Sequence, residues 1–169
     1  VQHADDDSLS LALPQEPDTL ALGARLGAAL RPGMTVYLSG DLGAGKTTLV
    51  RGLLRGLGYT GRVKSPTYTL VELYSISSLN LYHFDLYRFA HPEEWEESGF
   101  REYFNAESVC LVEWPEKAAG LIPEPDVAIR LEWAGDPSRG EDEGRLARIT
   151  GYTEAGRQCI ERLGAGSVG

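Results

Sequence analysis

The chain is poor in cysteine, in net positive charge and in long apolar runs, and each shortage excludes something. It has two cysteines in 169 residues, Cys110 and Cys159, far apart in sequence. That is too few for a disulfide scaffold. Cys110 lies inside Val109-Cys110-Leu111-Val112, the pattern of a buried strand, where a thiol behaves as a small hydrophobe. Lys and Arg number 16 against 25 acids, a formal charge of −9. A chain so charged is not expected to hold nucleic acid unaided, because phosphate contacts need clustered Lys and Arg. One local cluster stands out: Arg51 and Arg55, spaced i, i+4, with Arg62 and Lys64 shortly after. It reads either as an ordinary solvated face or as a contact surface for a partner or RNA. No apolar run approaches the ~20 residues of a membrane helix. The acidic, polar start, Val1 to Ser10, lacks the basic flank and apolar stretch of a signal peptide.

What is present suits one globular domain. Apolar residues make up 42% and charged residues 24%, ordinary values for a soluble domain. The expected division is a polar segment over 1–17, a domain over 18–163 and a flexible tail over 164–169. Residues 18–30 read as a helix capped by Asp18, with Leu22, Leu26 and Leu30 on one face and Pro32-Gly33 as the stop. A short apolar strand is expected over 34–39, then a glycine-rich turn over 40–45. An amphipathic helix follows over 46–57, with Val50, Leu53, Leu54 and Leu57 at i, i+3, i+4 and i+7. Residues 67–76 and 79–84 predict an antiparallel hairpin, and 92–98 a helix with Pro in its first turn. Strands are expected over 109–112, 127–133 and 145–152, an acidic solvated loop over 135–144, and a final helix over 153–163. The alternation predicts an α/β fold, a P-loop NTPase-like three-layer sandwich with a mainly parallel sheet and antiparallel additions.

Gly40-Asp41-Leu42-Gly43-Ala44-Gly45-Lys46-Thr47 fits Gly, four residues, Gly-Lys-Ser/Thr. Such a loop wraps a phosphate with backbone N–H groups, and its glycines allow conformations that side chains hinder. The helix opening at Lys46 adds its positive end. Lys46 is expected on the β- and γ-phosphates, the Thr47 hydroxyl on Mg²⁺, and Thr48 near the α-phosphate. The strand before and the helix after supply the context that the motif requires. Together with the scarcity of cysteine, this makes the cytoplasm the expected compartment.

Hydrolysis also needs a carboxylate near the metal. Asp85 follows Leu81-Tyr82-His83-Phe84, and Glu113 follows Val109-Cys110-Leu111-Val112. Each ends an apolar strand, where ligands of such sheets gather; the alternative for each is a surface acid. Thr67, in Ser65-Pro66-Thr67-Tyr68, sits where a switch threonine would sense the γ-phosphate, or serves a turn. His83 reads as a packed histidine, and Trp114 as core or as a cover for the nucleotide. The guanine-reading Asn-Lys-x-Asp and the GTPase Asp-x-x-Gly are missing, so ATP is favoured.

Four stretches together resemble the TsaE family. They are Gly40 to Thr48, Val63-Lys64-Ser65-Pro66-Thr67-Tyr68-Thr69-Leu70-Val71-Glu72, His83-Phe84-Asp85-Leu86-Tyr87-Arg88 and Val112-Glu113-Trp114-Pro115-Glu116. The resemblance implies the bacterial ATPase of tRNA threonylcarbamoyladenosine synthesis, a weak ATPase alone. It acts with TsaB and TsaD, which carry the transfer to adenosine 37 of tRNA, so that tRNA is met through partners. It further implies that Asp41, Leu42, Gly43, Ala44, Gly45, Lys46, Thr47 and Thr48 bind ATP, and that Thr47 and Glu113 hold Mg²⁺. Asp85 would serve hydrolysis as metal ligand or orienter of water, with Thr67 as the switch. Glu16 and Thr19 would lie near the adenine, and Arg145 near the nucleotide. Trp95 replaces a residue that is often smaller in the family, a matter of packing. The rival readings are a small-molecule P-loop kinase and a non-enzymatic nucleotide-dependent adaptor.

Overall fold

The computed structural model describes residues 7–41, 43–76 and 79–168, with side chains described through Gly164. Its elements are β1 Ser8–Leu13, α1 Glu16–Ala29, β2 Thr35–Gly40, α2 Lys46–Gly56, β3 Val71–Ile76, β4 Leu79–Asp85, α3 Glu94–Ser98, β5 Ser108–Glu113, β6 Val127–Trp133, β7 Arg145–Gly151 and α4 Glu154–Val168. The strands form one sheet in the order β1-β7-β6-β2-β5-β4-β3. The four central strands β6, β2, β5 and β4 are mutually parallel. β7, β1 and β3 are the antiparallel additions. This is the expected α/β sandwich, with β2 central and its C-terminal end opening into the glycine-rich turn.

Strand alternation divides the interior into two cores. Val36, Leu38, Leu81, Val109 and Leu111 face α1, α2 and α4 and pack on Leu22, Leu26, Leu49, Leu53 and Cys159. The intervening residues Phe84, Cys110 and Val112 face the other way and pack on Trp95, Phe100 and Ile122. β5 is buried at every position, as its unbroken apolar run predicts. Trp95 is fully buried against Phe84 and Phe104. Cys110 and Cys159 are both buried free thiols.

Several boundaries differ from expectation for identifiable reasons. The polar segment 1–17 contains β1: Ser-Leu-Ser-Leu-Ala-Leu alternates with period two, and Leu9, Leu11 and Leu13 turn inward. α1 begins at Glu16 rather than 18, because Pro17 suits a first turn; Gln15 rather than Asp18 is the cap residue, and Asp18, at the third helical position, accepts the Gln15 N–H at 2.9 Å. The hairpin's first strand starts at Val71, since residues 66–70 form a turn closed by the Leu70 N–H on the Pro66 carbonyl at 2.8 Å. α4 continues to Val168, beyond the expected stop at 163, because continuing a helix adds one hydrogen bond for each residue fixed. Arg55 of the basic cluster is exposed but donates to the carbonyls of Tyr59 and Gly61 at 3.1 Å each. Arg51 is exposed as well.

The sequence reading missed how α1 meets α2. A Cβ at Gly23 would stand 2.4 Å from the Leu49 carbonyl oxygen, and one at Gly52 would stand 2.3 Å from that of Leu20. Gly27 and Gly56 repeat the contact one turn on, against Leu53 and Ala24. The two backbones therefore touch, which fixes α1 against the helix that follows the glycine-rich turn. Gly52→Ala would gain about 1 kcal/mol of helix propensity. It must also displace backbone, which puts overpacking near the upper end of the usual ~1–3 kcal/mol. A net loss of about 2 kcal/mol is expected from the urea midpoint; an unchanged or raised midpoint would contradict the close approach.

Candidate functional site

The glycine-rich turn leaves β2 and enters α2 with Gly45 as its cap residue, at φ 99. A side chain is strained in that conformation. Gly40 has no room for one: its Cβ would lie 2.5 Å from the Leu131 carbonyl oxygen on β6. The turn therefore closes tightly between β6 and α1. The Ala44 N–H donates to the Asp41 carbonyl at 3.0 Å, so this donor is committed within the turn. Ala44 itself is fully buried. Leu42 lies outside the described residues.

Two cavities flank the turn and share Gly43, Gly45 and Thr48. The larger, about 720 Å³, brings together Asp41, Lys46, Thr47, Thr67, Asp85 and Glu113. The smaller, about 390 Å³, holds Glu16, Thr19 and Arg145. The expected catalytic and metal residues thus line one side of the turn. The residues implied near the base line the other. Arg145 bridges to the turn itself: its guanidinium lies 3.5 Å from the Trp133 ring centre and donates to the Gly43 carbonyl at 3.2 Å. Asp142, in the acidic loop, accepts from it at 3.3 Å.

Asp85 and Glu113 are register partners on parallel β4 and β5, and both are buried. They are not the surface acids of the alternative reading. Lys46 Nζ lies 3.7 Å from Glu113 Oε1 and 5.0 Å from the Trp114 ring centre. Glu113 Oε2 lies 2.6 Å from His83 Nε2. Burial raises the Asp85 carboxyl above the usual range, and the Glu113 charge adds to this. A hydrogen bond from the Tyr87 N–H, at 2.9 Å, opposes them in part, as do His83 and Lys46. Thr67 Oγ1 lies 2.8 Å from Ser65 Oγ at the cavity edge.

The backbone is strained around these acids. Trp114 has φ 58 and Leu70 has φ 71, the two described residues other than glycine with positive φ. Each such conformation costs of order 1–3 kcal/mol. The Leu70 carbonyl accepts the Asp85 N–H at 2.9 Å, and the Glu113 carbonyl accepts the Leu86 N–H at 3.1 Å. Trp114 thereby turns its ring into the cavity mouth, 5.0 Å from that of Tyr87.

The donor set suits magnesium carried in with a phosphate. Among the described residues, no group of three His, Cys, Asp or Glu could hold a metal ion. One hydroxyl and two carboxylates beside a phosphate loop match a hard cation that keeps waters and takes phosphate oxygens. Also among the described residues, no helix is long and apolar enough to cross a membrane.

The family model described as "Threonylcarbamoyl adenosine biosynthesis protein TsaE" matches residues 13–140. The chain belongs to the TsaE family. A Haemophilus influenzae protein named tRNA threonylcarbamoyladenosine biosynthesis protein TsaE is 45% identical over 159 residues, 91% of this chain and 96% of its own. One of the same name from Bacillus subtilis is 42% identical over 122 residues, 72% of this chain and 76% of its own. The crystal structure of Bacillus subtilis YdiB superposes with a TM-score of 0.79 at 31% identity, covering 95% of this chain and 96% of that one. Within the TsaE motifs, His83 makes a contact, with Glu113, that its reading as a packed histidine did not foresee. Its signal was its place two residues before Asp85 on one strand, which puts both side chains on one face.

Proposed function

We propose that the chain is the ATP-binding and hydrolysing component of the machinery that makes N6-threonylcarbamoyladenosine at position 37 of tRNA, acting with TsaB and TsaD in the cytoplasm. The observation that carries this is the pair of cavities sharing one phosphate loop, with Lys46, Thr47, Asp85 and Glu113 gathered in the larger. The smaller cavity takes the adenine beside Glu16 and Thr19, with Arg145 fastening the loop behind it. The phosphates cross the turn, Thr48 meets the α-phosphate and Lys46 reaches the β- and γ-phosphates. Thr47 and Glu113 would hold magnesium, which when bound would supply positive charge against the triphosphate. Asp85, buried and with a raised pKa, accepts from the attacking water and orients it, and Thr67 closes on the γ-phosphate side.

An acidic surface leaves the RNA to the partners: at −9 the chain repels a phosphate backbone. A small-molecule kinase needs a basic lid, whereas residues 135–144 contain four acids and one Arg. Asp136 there caps its own turn on Ser138.

The deciding experiment is ATP hydrolysis by the purified protein, alone and with TsaB, TsaD and tRNA. Hydrolysis should be slow alone and rise with the partners. A rate indifferent to them, together with phosphorylation of a small acceptor, would move the chain to the kinases.

A further inference from the structure

We propose that His83 is a positioning residue: by holding one oxygen of Glu113, it presents the other to the metal beside Lys46. This rests on the reading above that Glu113 holds magnesium.

His83 is 4% exposed and stands in the middle of β4, where its neighbour across the parallel ladder is Leu111. The 2.6 Å contact joins its Nε2 to Glu113 Oε2. An ionised carboxylate only accepts, so Nε2 carries the proton and donates. Oε2 is thereby committed, and Oε1 remains on the Lys46 side of the cavity. His83 Nδ1 is buried and makes no hydrogen bond among the described residues, so the ring's polar contact goes to Glu113 alone. A glutamate has three side-chain torsions to lose on ordering, and an unpinned one spends part of its time turned away from its ligand. Partners that fix a metal-binding carboxylate this way change metal affinity or activity by about 10–100-fold when removed. The Glu113 backbone is held at the same point, through the Leu86 N–H on its carbonyl. Side chain and main chain are therefore fixed together.

The test compares His83→Phe and His83→Asn, which lack a donor that reaches Glu113, with His83→Gln, whose amide nitrogen can stand near the Nε2 position. Binding of Mn²⁺ to the ATP-loaded protein is read by electron paramagnetic resonance, and ATP affinity is measured in EDTA. The Mg²⁺ dependence of hydrolysis provides a second reading. Both Phe and Asn should weaken Mn²⁺ binding and raise the half-saturating Mg²⁺ by about tenfold or more. ATP affinity in EDTA should not move, and Gln should restore most of the metal affinity. If Phe fails to fold, Asn against Gln still decides. Wild-type Mn²⁺ affinity in the donor-less variants would overturn the inference, as would Gln failing alongside them, which would make His83 a packing residue. If the unmodified protein with ATP bound no Mn²⁺, the magnesium reading itself would fall.

Discussion

Lys46→Ala is expected to reduce ATP hydrolysis about 100–1,000-fold, the usual loss when a group aimed at developing transition-state charge is removed. The surroundings make this lysine hard to replace. It is the single cation among the described residues lining the larger cavity, where Asp41, Asp85 and Glu113 supply three carboxylates. Without it the cavity is uniformly negative and repels a triphosphate. ATP binding should therefore weaken as well, both with and without partners. The fold should survive, because Lys46 is only a 3.7 Å neighbour of Glu113, whose nearer contact is His83. Steady-state hydrolysis, ATP titration and thermal melting check the three parts. Retained hydrolysis would place the chemistry elsewhere than at the phosphate loop.

Asp85→Asn should lose hydrolysis and gain stability, two effects of opposite value from one carboxylate. Asn keeps an oxygen to accept the Tyr87 N–H and keeps the size of the side chain. It loses the negative charge that binds metal or orients water, so a fall of at least about 100-fold in rate is expected. Stability follows from the raised carboxyl pKa, caused first by burial. Such a carboxyl holds its proton more firmly when folded than when unfolded. Its ionisation therefore works against the fold. The effect is absent below the ordinary carboxylate pKa, grows as pH rises through the two values, and is complete above the folded one. Asn does not ionise, so its advantage should be nil in acid and grow as the pH rises toward neutral. A higher melting temperature than the wild type is expected at pH 7, with the difference shrinking as the pH falls. Melting curves of the nucleotide-free protein from pH 4 to 7 test it. A variant less stable at pH 7 would show that the Asp85 charge supports the fold.

Legibility followed the range of the interactions. The order of elements was readable because hydrophobic period reports local burial, and β5 and β6 came out almost at their expected bounds. β1 was hidden by the polar residues around and within it, although its own alternation was present. Asp85 and Glu113 were suspected from strand ends alone, while their pairing at one register needed β4 and β5 to lie side by side. Glu16, Thr19 and Arg145 carried no local signal, and the family resemblance named them.

The glycine-rich turn between β2 and α2 could be expected from contiguous residues, because eight neighbouring positions specify its backbone turns and the helix start. The same holds for the acidic balance of the chain, a property of composition alone. Tertiary structure decided the rest. It placed Gly23 and Gly52 where two helix backbones touch, and it turned Asp85 from a possible surface acid into a buried one with a raised pKa. It also joined His83 to Glu113 across 30 residues of chain. Those outcomes depend on distances of a few ångströms between separate elements, and such distances are set by how the sheet and helices pack.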